Sequence, residues 1–471
     1  MLPALILTTV LLPVQADFSS SFPAGQKVPD SPDLLLPAKY QPDFPEPFPA
    51  PAVISAPILG PSRPFTGGEI THAVSRLSAV QPERWWLMKQ TQGTWLGAFL
   101  DNNRLFLSGW IEQAFTASTD RFSNFPVIFN DRGNEYLLQQ AWVRVGRKLV
   151  LLGTDQPSWG FQIDVINGSD YRWTMSRGLF NSQLDNLTGS QNLYGVDPVQ
   201  HFVNLYVPTL FRGTEFRLGR FYAPFNFDSI EGVTTPLLSR AYAFENSPFT
   251  MCGLGAYVTF SPAWTGVFML INGNDVYFGD PAEELRFAGN IKWTQTGGGR
   301  NVVQFGTSLG RGKFNPAYPT PPQQTTNALA TEPFGRNNIN TFDLLYTHLL
   351  NSAMSYNLEI MYGYQYNVPQ EALPISDPSG FTNWLSILHY FFYDVSPRMR
   401  LILRWEDFDD FQGQRTGFAG LYNAVTGGFV FRLNPSMWIR PEARYDYNFE
   451  STPFEGKHGL FTAAIDTIIR W

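Results

Sequence analysis

The chain closes with Phe461-Thr-Ala-Ala-Ile-Asp-Thr-Ile-Ile-Arg-Trp471, a sequence that has two unlike faces as a β-strand. Successive strand side chains point to opposite sides, so one face holds Phe461, Ala463, Ile465, Thr467, Ile469 and Trp471, and the other holds Thr462, Ala464, Asp466, Ile468 and Arg470. The first face suits hydrocarbon and the second suits water. A strand of this kind that ends on an aromatic residue is typical of outer-membrane β-barrels, and it predicts a lipid environment for the whole chain.

The amino-acid composition agrees with a membrane β-barrel that has many turns. The 471 residues are 15% charged and 15% aromatic, which is too aromatic for disorder, and 40 glycines and 36 prolines indicate many turns. The net charge of −7 argues against a nucleic-acid partner. Cys252 is the single cysteine, so no internal disulfide can form. No stretch approaches the ~18 consecutive apolar residues of a membrane helix, so a membrane protein with this sequence must be a closed barrel.

Three regions are predicted to precede the barrel. Residues 1–16 are predicted to be a signal peptide, because Leu5–Leu12 form a short apolar core and Val14-Gln-Ala16 fits the cleavage pattern. Residues 17–68 are rich in proline, which predicts a disordered, semi-rigid periplasmic linker, with a docking ligand for an envelope partner as the alternative. Residues 69–103 predict a short helical segment at the periplasmic mouth or inside the lumen.

Residues 104–471 show the pattern of a transmembrane β-barrel, in which short segments of alternating hydrophobicity are separated by Gly, Pro, Asn, Asp and Ser. Sixteen antiparallel strands are predicted: 105–118, 136–147, 158–169, 199–207, 214–222, 252–260, 264–272, 284–295, 301–311, 337–351, 354–366, 382–394, 397–408, 418–433, 436–447 and 459–471. Short gaps alternate with long ones near 119–135, 170–197, 223–251, 312–336 and 367–381. Membrane barrels have short periplasmic turns and long extracellular loops, so an even count predicts that both termini are periplasmic.

Charged residues keep to one face of most segments. A lipid-facing Arg or Lys at mid-bilayer costs ~2–4 kcal/mol, so this face is predicted to line the lumen. The predicted pore-lining residues are Glu112, Arg144, Asp164, Arg286, Lys292, Glu359, Arg398, Arg400, Arg404, Glu406, Arg440, Glu442, Arg444, Asp446, Asp466 and Arg470. Arg217 with Arg220 and Asp343 with His348 break the alternation, which predicts bulges or misplaced strand ends there. A soluble β-sandwich would alternate as well and is the alternative fold.

Five stretches resemble the OmpL-like family of β-barrel porins: Ser108-Gly-Trp-Ile-Glu112, Gly160–Val165, Leu218-Gly-Arg-Phe-Tyr-Ala-Pro-Phe225, Ser239–Thr250 and Gly253–Tyr257. The resemblance spans most of residues 85–471, and it is most specific around Gly219 and Tyr242. It implies a porin-like barrel of the outer membrane without a defined substrate. Members of that family usually carry an acidic residue after the Gly-Arg-Phe-Tyr stretch, and Asp228 and Glu231 lie near that place.

The third long gap, 223–251, is predicted to fold into the lumen as a constriction loop carrying Asp228, Glu231, Arg240 and Glu245. Arg398, Arg400, Arg404, Arg440 and Arg444 would form a basic wall, because their two strands lie ~10 Å apart with one strand between them. Loop carboxylates that face this wall would create a transverse field for small polar solutes. Two alternatives stay open: ion pairs inside the lumen brace the barrel, and the loop charges are solvated at the surface.

The leading prediction is an outer-membrane porin, a water-filled channel for the passive diffusion of small polar solutes and ions. The alternative is a non-conducting structural or adhesive barrel that binds partners through its long loops or the proline-rich segment. No catalytic, cofactor or metal motif is present, so no enzyme activity and no cofactor are predicted. The predicted partners are the bilayer and its lipids, the solutes, the barrel-assembly machinery through the last strand, and two further copies in a homotrimer.

Overall fold

The computed structural model describes residues 85–151, 155–180, 183, 193–277, 285–296, 300–312, 339–370, 373–375 and 377–471. The predicted signal peptide 1–16, the predicted linker 17–68 and residues 69–84 of the next segment lie outside these ranges. Most of the long gap 312–336 lies outside them as well.

Sixteen strands are present where sixteen were predicted. They are β1 (Leu105–Ser118), β2 (Glu135–Arg147), β3 (Ser158–Gly168), β4 (Gly195–Val207), β5 (Thr214–Tyr222), β6 (Thr250–Thr259), β7 (Trp264–Asn274), β8 (Arg286–Thr294), β9 (Asn301–Leu309), β10 (Asn340–Leu349), β11 (Met354–Gln365), β12 (Thr382–Ser396), β13 (Met399–Asp410), β14 (Gly420–Asn434), β15 (Met437–Asn448) and β16 (Gly459–Arg470). The largest shift of a strand end is at β4, which begins at Gly195 rather than at residue 199.

The strands form one closed antiparallel barrel, in which each pairs with its neighbours in the sequence and β1 pairs with β16. The closing register runs from Trp110 opposite Arg470 to Ser118 opposite Thr462. Closure leaves no strand edge with unpaired backbone groups, which is the condition for a sheet to exist in lipid. The predicted all-β membrane barrel is therefore confirmed, and the soluble sandwich is excluded.

The two faces of the wall differ as the closing strand predicts. On β16, Phe461, Ile465 and Ile469 are 45%, 47% and 44% exposed, whereas Asp466 is 1% exposed. The other strands repeat this division, with apolar side chains outside and charged ones inside. The outer face can therefore contact hydrocarbon, while the polar groups of the wall meet one another in the interior.

The two ends of the barrel also differ. The connections 208–213, 260–263, 350–353, 397–398 and 435–436 are short and lie at the end where β1 begins and β16 ends, here named the short-turn end. The connections 119–134, 169–194, 223–249 and 366–381 are long and lie at the opposite long-loop end. Loop 169–194 contains the one-turn helix α3 (Tyr171–Thr174), and loop 223–249 contains α4 (Tyr242–Glu245).

Two short helices lead into β1 at the short-turn end. They are α1 (Trp86–Gln90) and α2 (Trp95–Asn102), and the Thr94 hydroxyl caps α2 by accepting a hydrogen bond from the Gly97 N–H at 3.1 Å. Just before α1, the Trp85 ring lies 4.8 Å from the Arg470 guanidinium. Neither helix, nor any other in the described part of the chain, is long and apolar enough to span a bilayer.

The two breaks in charge alternation have different explanations. Arg217 and Arg220 are both buried, because Gly219 between them has a φ of +136° and changes the direction of the strand. Asp343 and His348 need no bulge, since the register of β10 is uninterrupted on both sides. Asp343 is buried inside, whereas His348 belongs to the outward set, where it contacts Asn301 at 2.7 Å. The predicted irregularity is therefore wrong for β10.

Candidate functional site

The connection 223–249, here named the inner loop, lies inside the barrel. It hydrogen-bonds to Gln140 on β2, Asn290 on β8, Glu359 on β11 and Glu442 on β15, which stand on different sides of the closed wall. Only a segment within the lumen can reach all of them. Nearly every residue of the inner loop is buried, including the whole run from Leu237 to Phe249.

Three wall carboxylates hold the loop by its main chain. Glu406 accepts hydrogen bonds from the N–H groups of Tyr242 and Ala243, both at 2.7 Å. Glu442 accepts from Leu238 at 2.8 Å and from Ser239 at 3.2 Å. Glu359 accepts from the Phe227 N–H and the Asn226 side chain, both at 2.9 Å. Hydrogen bonds to a charged group contribute ~1.5–3 kcal/mol, so these carboxylates, here named the carboxylate clamps, fix the loop strongly.

Four wall arginines bind the carbonyl oxygens of the same loop. Arg440 donates to Gly232 at 2.9 Å and to Thr235 at 2.7 Å. The other donors are Arg404 to Ser239 at 2.6 Å, Arg444 to Arg240 at 2.7 Å and Arg470 to Val233 at 2.8 Å. Acids of the wall therefore meet the loop N–H groups, and bases of the wall meet its carbonyl groups.

Several uncharged or unassigned residues complete the attachment and were missed in the sequence. Gln140 donates to the Ile230 carbonyl at 2.8 Å and accepts from the Gly232 N–H at 3.0 Å. The Tyr390 hydroxyl donates to Asp228 at 2.6 Å, and Asp343 accepts from the Asn226 N–H at 2.9 Å. All three occupy inward positions of their strands, so extending the alternation from charged to all polar residues would have found them.

Each charged side chain of the inner loop contacts a partner directly, either an opposite charge or a main-chain group. Glu231 forms an ion pair with Arg144 on β2 and accepts from the Tyr222 hydroxyl at 2.9 Å. Asp228 lies 4.0 Å from Arg404, and Glu245 accepts from the Ile128 N–H at 3.1 Å. Arg240 donates to carbonyls within the loop itself, including that of Ile230 at 3.1 Å.

These contacts change the expected constriction. The predicted loop does enter the lumen, but its carboxylates do not face the arginines across a water gap, because loop and wall are in direct contact. Glu231 also pairs with Arg144 on β2, three strands from β15 around the wall, rather than with the arginines of β13 and β15. The transverse field proposed from the sequence is therefore replaced by a packed polar interface.

The wall also contains ion pairs of the kind expected if charges inside the lumen brace the barrel. Arg440 binds Asp466 through its Nε at 3.0 Å and Glu112 through its Nη2 at 2.8 Å, which links β15, β16 and β1. Arg144 binds Asp164 at 2.7 Å, and Arg444 binds Asp446 at 2.7 Å. Removing one partner of a buried pair typically costs about 3–5 kcal/mol, so the pairs of Arg440 and Arg144, which join different strands, resist separation of those strands, whereas Arg444 and Asp446 both lie on β15.

Fifteen of the sixteen predicted pore-lining residues are buried in the barrel interior. Arg286 among them donates to the Ile339 carbonyl at 2.7 Å, and Lys292 lies six residues further along β8, nearer the short-turn end. Arg398 is the exception. It lies exposed in the two-residue turn before β13, because that strand begins at Met399 rather than at residue 397.

Burial changes the protonation of loop carboxyl groups. It raises the pKa of Glu231 to about 7, although the Arg144 guanidinium opposes the shift. It raises the pKa of Asp170, beside α3, to about 6, and it raises the pKa of Glu245 well above its ordinary value. Within the described residues, no group of three His, Cys, Asp or Glu side chains is arranged to hold a metal ion.

A closed wall of sixteen strands with apolar side chains outside, charges inside and its third long loop in the lumen defines a porin-type barrel of the outer membrane. The family described as "Putative beta-barrel porin-2, OmpL-like" matches residues 104–470, which include every strand of this wall. The chain belongs to that family.

Distant likenesses exist among solved structures. The anion-selective porin from Comamonas acidovorans is 10% identical, with a TM-score of 0.49 over 78% of this chain and 99% of that chain. The outer-membrane channel DcaP of Acinetobacter baumannii is 8% identical, with a TM-score of 0.47 over 78% and 97%. OmpT of Vibrio cholerae is 9% identical, with a TM-score of 0.45 over 78% and 97%. No curated protein sequence matches the chain.

Proposed function

We propose that this protein is a channel for the passive diffusion of small polar solutes and ions, and that the inner loop sets how far the channel is open. The observation that carries the proposal is the kind of attachment between loop and wall. Carboxylates and guanidinium groups of the wall hold the N–H and carbonyl groups of the loop. Water and solute oxygens can replace such contacts, whereas an apolar plug would expose its core.

The inner loop is the natural control point because it spans the lumen between opposite walls. In the packed position its residues and the inward side chains of the wall bury one another. Displacement of the loop segment from Leu238 to Ala243 would release Glu406 and Glu442 into the lumen. The space gained would then be lined by the same charged groups, as in a water-filled pore.

The second candidate function is a non-conducting barrel, and the buried lumen favours it. Trp110, Trp142, Trp384 and Tyr390 on the wall belong to one apolar cluster with Tyr242 and Phe244 of the inner loop. A barrel whose loop never leaves this cluster would serve as a scaffold, with its long loops available to partners.

Planar-bilayer recording of the purified protein separates the two functions. We expect conductance steps from the wild type and a severalfold higher open fraction from Glu406→Gln/Glu442→Gln, because the amide side chains cannot replace the charged clamps. Asp410→Asn is the matched control, since Asp410 lies on the same strand as Glu406 but accepts from Arg415 and Thr416 of the next loop.

Absence of current from both the wild type and the clamp variant would establish the non-conducting barrel, provided that both migrate as folded barrels in unheated gels. A clamp variant that conducts like Asp410→Asn would contradict control by the inner loop.

We further infer that the short-turn end faces the periplasm and that both termini lie there, because outer-membrane barrels keep their short turns on that side. The lipid bilayer contacts the outer face, and the barrel-assembly machinery recognises β16 with its terminal Trp471. A homotrimer is the proposed assembly. Protease added to intact cells would cleave loop 366–381, whose described residues are mostly exposed or half-buried, but not turn 397–398 if this orientation is right.

A further inference from the structure

The middle of the inner loop is closed on itself. The Asp228 carboxylate accepts a hydrogen bond from the Ala241 N–H at 2.8 Å, which joins the two ends of the segment 228–241. The Arg240 side chain crosses the same segment and donates to the Ile230 carbonyl at 3.1 Å. Compact loops of ~6–16 residues whose ends lie close together are packed by their own side chains. This segment, here named the lobe, is therefore expected to move as one body.

Gly232 lies in the part of the lobe that meets β1 and β2. Its N–H donates to the Gln140 side chain at 3.0 Å, and its carbonyl accepts from Arg440 at 2.9 Å. A Cβ built on this glycine would overlap the Oε2 and Cδ atoms of Glu112 on β1. The main chain of the lobe is thus in direct contact with a wall carboxylate, at a distance that only glycine allows.

Glu112 has little freedom to move away from this contact. Its side chain is fully buried, and its Oε1 atom accepts from the Arg440 Nη2 at 2.8 Å. Arg440 is held in turn by Asp466 on β16 at 3.0 Å and by the Thr235 carbonyl of the lobe at 2.7 Å. The contact at Gly232 therefore joins two fixed groups, because one arginine binds both the carboxylate and the lobe.

The lobe has a second contact of the same kind on β14. Leu237 is fully buried, and a Cβ built on Gly428 would come within 2.6 Å of its Cδ2 atom. β14 and β1 stand three strands apart around the wall, with β15 and β16 between them. On those two strands Arg440 and Arg470 bind carbonyl groups of the lobe. The lobe therefore rests on the wall from β14 to β1, with a glycine contact at each edge.

We propose that Gly232 and Gly428 are positioning residues of the inner loop, because the absence of their side chains lets the lobe rest directly on the wall between β14 and β1. Protein interiors are close-packed, so an added methyl group at either place must push the lobe or its partner side chain out of position. The size of these two residues then sets the clearance that the loop leaves for solutes. As a statement about solute passage the inference rests on the proposed channel function, and as a statement about loop position it does not.

The contact at Gly232 is tested by moving size from one partner to the other. Gly232→Ala adds the methyl group that overlaps Glu112. Glu112→Asp in the same chain withdraws the carboxylate by one methylene and keeps its charge for Arg440, so this compensated pair is expected to behave nearly as the wild type. Glu112→Gln keeps the length of the side chain, so Glu112→Gln/Gly232→Ala is expected to behave as Gly232→Ala does.

The contact at Gly428 allows an independent test. Gly428→Ala overlaps Leu237, and Leu237→Ala removes the overlapping atom, so Leu237→Ala/Gly428→Ala is the second compensated pair. Gly427→Ala is the matched control for both single variants, because a Cβ at this neighbouring glycine meets only Leu403, at 3.5 Å.

The position of the lobe is measured first, by amide hydrogen exchange of the full chain in detergent. The reporters are the N–H groups of Leu238 and Tyr242, which the carboxylate clamps hold. We expect hydrogen exchange there to be about tenfold faster in Gly232→Ala and Gly428→Ala, and close to that of the wild type in both compensated pairs and in Gly427→Ala. Where a single variant does not fold, recovery of the folded fraction by its compensated pair in unheated gels is the measurement.

Solute passage is measured next, by planar-bilayer recording and by liposome swelling with sugars of graded size. We expect Gly232→Ala and Gly428→Ala to raise the open fraction severalfold and to admit larger sugars than the wild type. Both compensated pairs are expected to return these two quantities to wild-type values.

The outcomes distinguish loop position from channel function. Hydrogen exchange that rises in the single variants and returns in the compensated pairs, without any current, supports the positioning role and removes the channel. Current with single variants that match Gly427→Ala in hydrogen exchange and open fraction removes the positioning role and keeps the channel. Compensated pairs that restore nothing, or Glu112→Gln that restores as much as Glu112→Asp, would also overturn the positioning role.

Discussion

Gly219 illustrates how one residue redirects a whole strand. Its φ of +136° is readily adopted by glycine but rarely by residues with a side chain. A Cβ built at this position would come within 2.2 Å of the His201 carbonyl oxygen. Arg217 lies before this glycine and pairs with Glu215 at 2.8 Å, and Arg220 lies after it and pairs with Asp197 at 2.7 Å. The Arg220–Asp197 pair therefore depends on the missing side chain.

Gly219→Ala is expected to lower the yield of folded barrel strongly and to reduce the thermal unfolding temperature. The added methyl must strain the backbone or push β4 away from β5. Gly427→Ala is the matched control, because a Cβ there meets only Leu403, at 3.5 Å. The measurement is the fraction of protein that shows heat-modifiable gel mobility. Equal folded fractions in the two variants would contradict this account of Gly219.

Glu231 makes the position of the inner loop sensitive to pH. Burial raises its pKa to about 7, which Asp164 reinforces and Arg144 and Tyr222 oppose, so the packed loop retains a proton that a loop in water would release near pH 4.5. The stabilisation is complete below that lower value and is lost as the pH rises through about 7. The raised pKa values of Glu245 and Asp170 act in the same direction.

We therefore expect the open fraction of the channel to fall when the pH is lowered from about 8 to about 5.5. Glu231→Gln should flatten this dependence, since its side chain does not titrate, while Asp410→Asn should keep it. Planar-bilayer recording at each pH gives the measurement. An open fraction that rises on acidification would show that another group controls the loop.

At the scale of elements, two connections at the long-loop end are joined across the seam where β1 pairs with β16. Glu455 in the connection 449–458 accepts hydrogen bonds from the N–H groups of Arg121, Phe122 and Ser123 in loop 119–134, at 2.9, 2.9 and 3.3 Å. These bonds hold the pKa of Glu455 below its usual range. Lys457 adds an ion pair with Asp120.

Glu455→Ala is expected to release loop 119–134, with faster amide hydrogen exchange at residues 121–123 and faster proteolysis of the loop. Because the pKa of Glu455 is lowered, the wild-type contact should persist at neutral pH and weaken only as the pH falls below the range in which the carboxylate is charged. Glu450→Ala, in the same connection, is the control. Unchanged exchange in both variants would contradict the proposed contact.

The strands and faces could be predicted because their signal is local. Each charged residue of β15, from Arg440 to Asp446, stands two positions from the next, and this period alone identifies the inner face. The clamps could not be predicted, because Glu406 and Glu442 meet main-chain atoms of a loop more than a hundred and sixty residues away. The amino-acid composition of a loop does not reveal which of its N–H groups will donate a hydrogen bond to a carboxylate that is distant in the sequence.

At the scale of the molecule, the last residue closes the wall. The Trp471 N–H donates to the Gly109 carbonyl at 3.0 Å, and the Gly109 N–H donates to the Trp471 carbonyl at 3.1 Å. A Cβ at Gly109 would come within 2.4 Å of the Trp471 ring, so the indole lies directly over that glycine. The seam between β1 and β16 thus ends on a matched pair of residues.

Removal of Trp471 should slow assembly and lower the folded fraction, because it removes two hydrogen bonds and the ring from the seam. Trp471→Phe should assemble nearly as the wild type, since it keeps the backbone bonds and an aromatic ring. The measurement is the rate at which heat-modifiable protein forms in detergent or lipid. Equal rates for the truncated and full-length chains would show that the seam closes without its terminal residue.

The carboxylate clamps have a consequence for how this protein can change over evolutionary time. They grip amide groups that every amino acid except proline provides, so Leu238, Ser239, Tyr242 and Ala243 can be exchanged without losing those bonds. These main-chain bonds are independent of the contacts that the loop side chains Asn226, Asp228 and Glu231 make with the wall. Point substitutions in this segment could therefore change the chemical groups inside the barrel during evolution, while the loop kept its position on the wall.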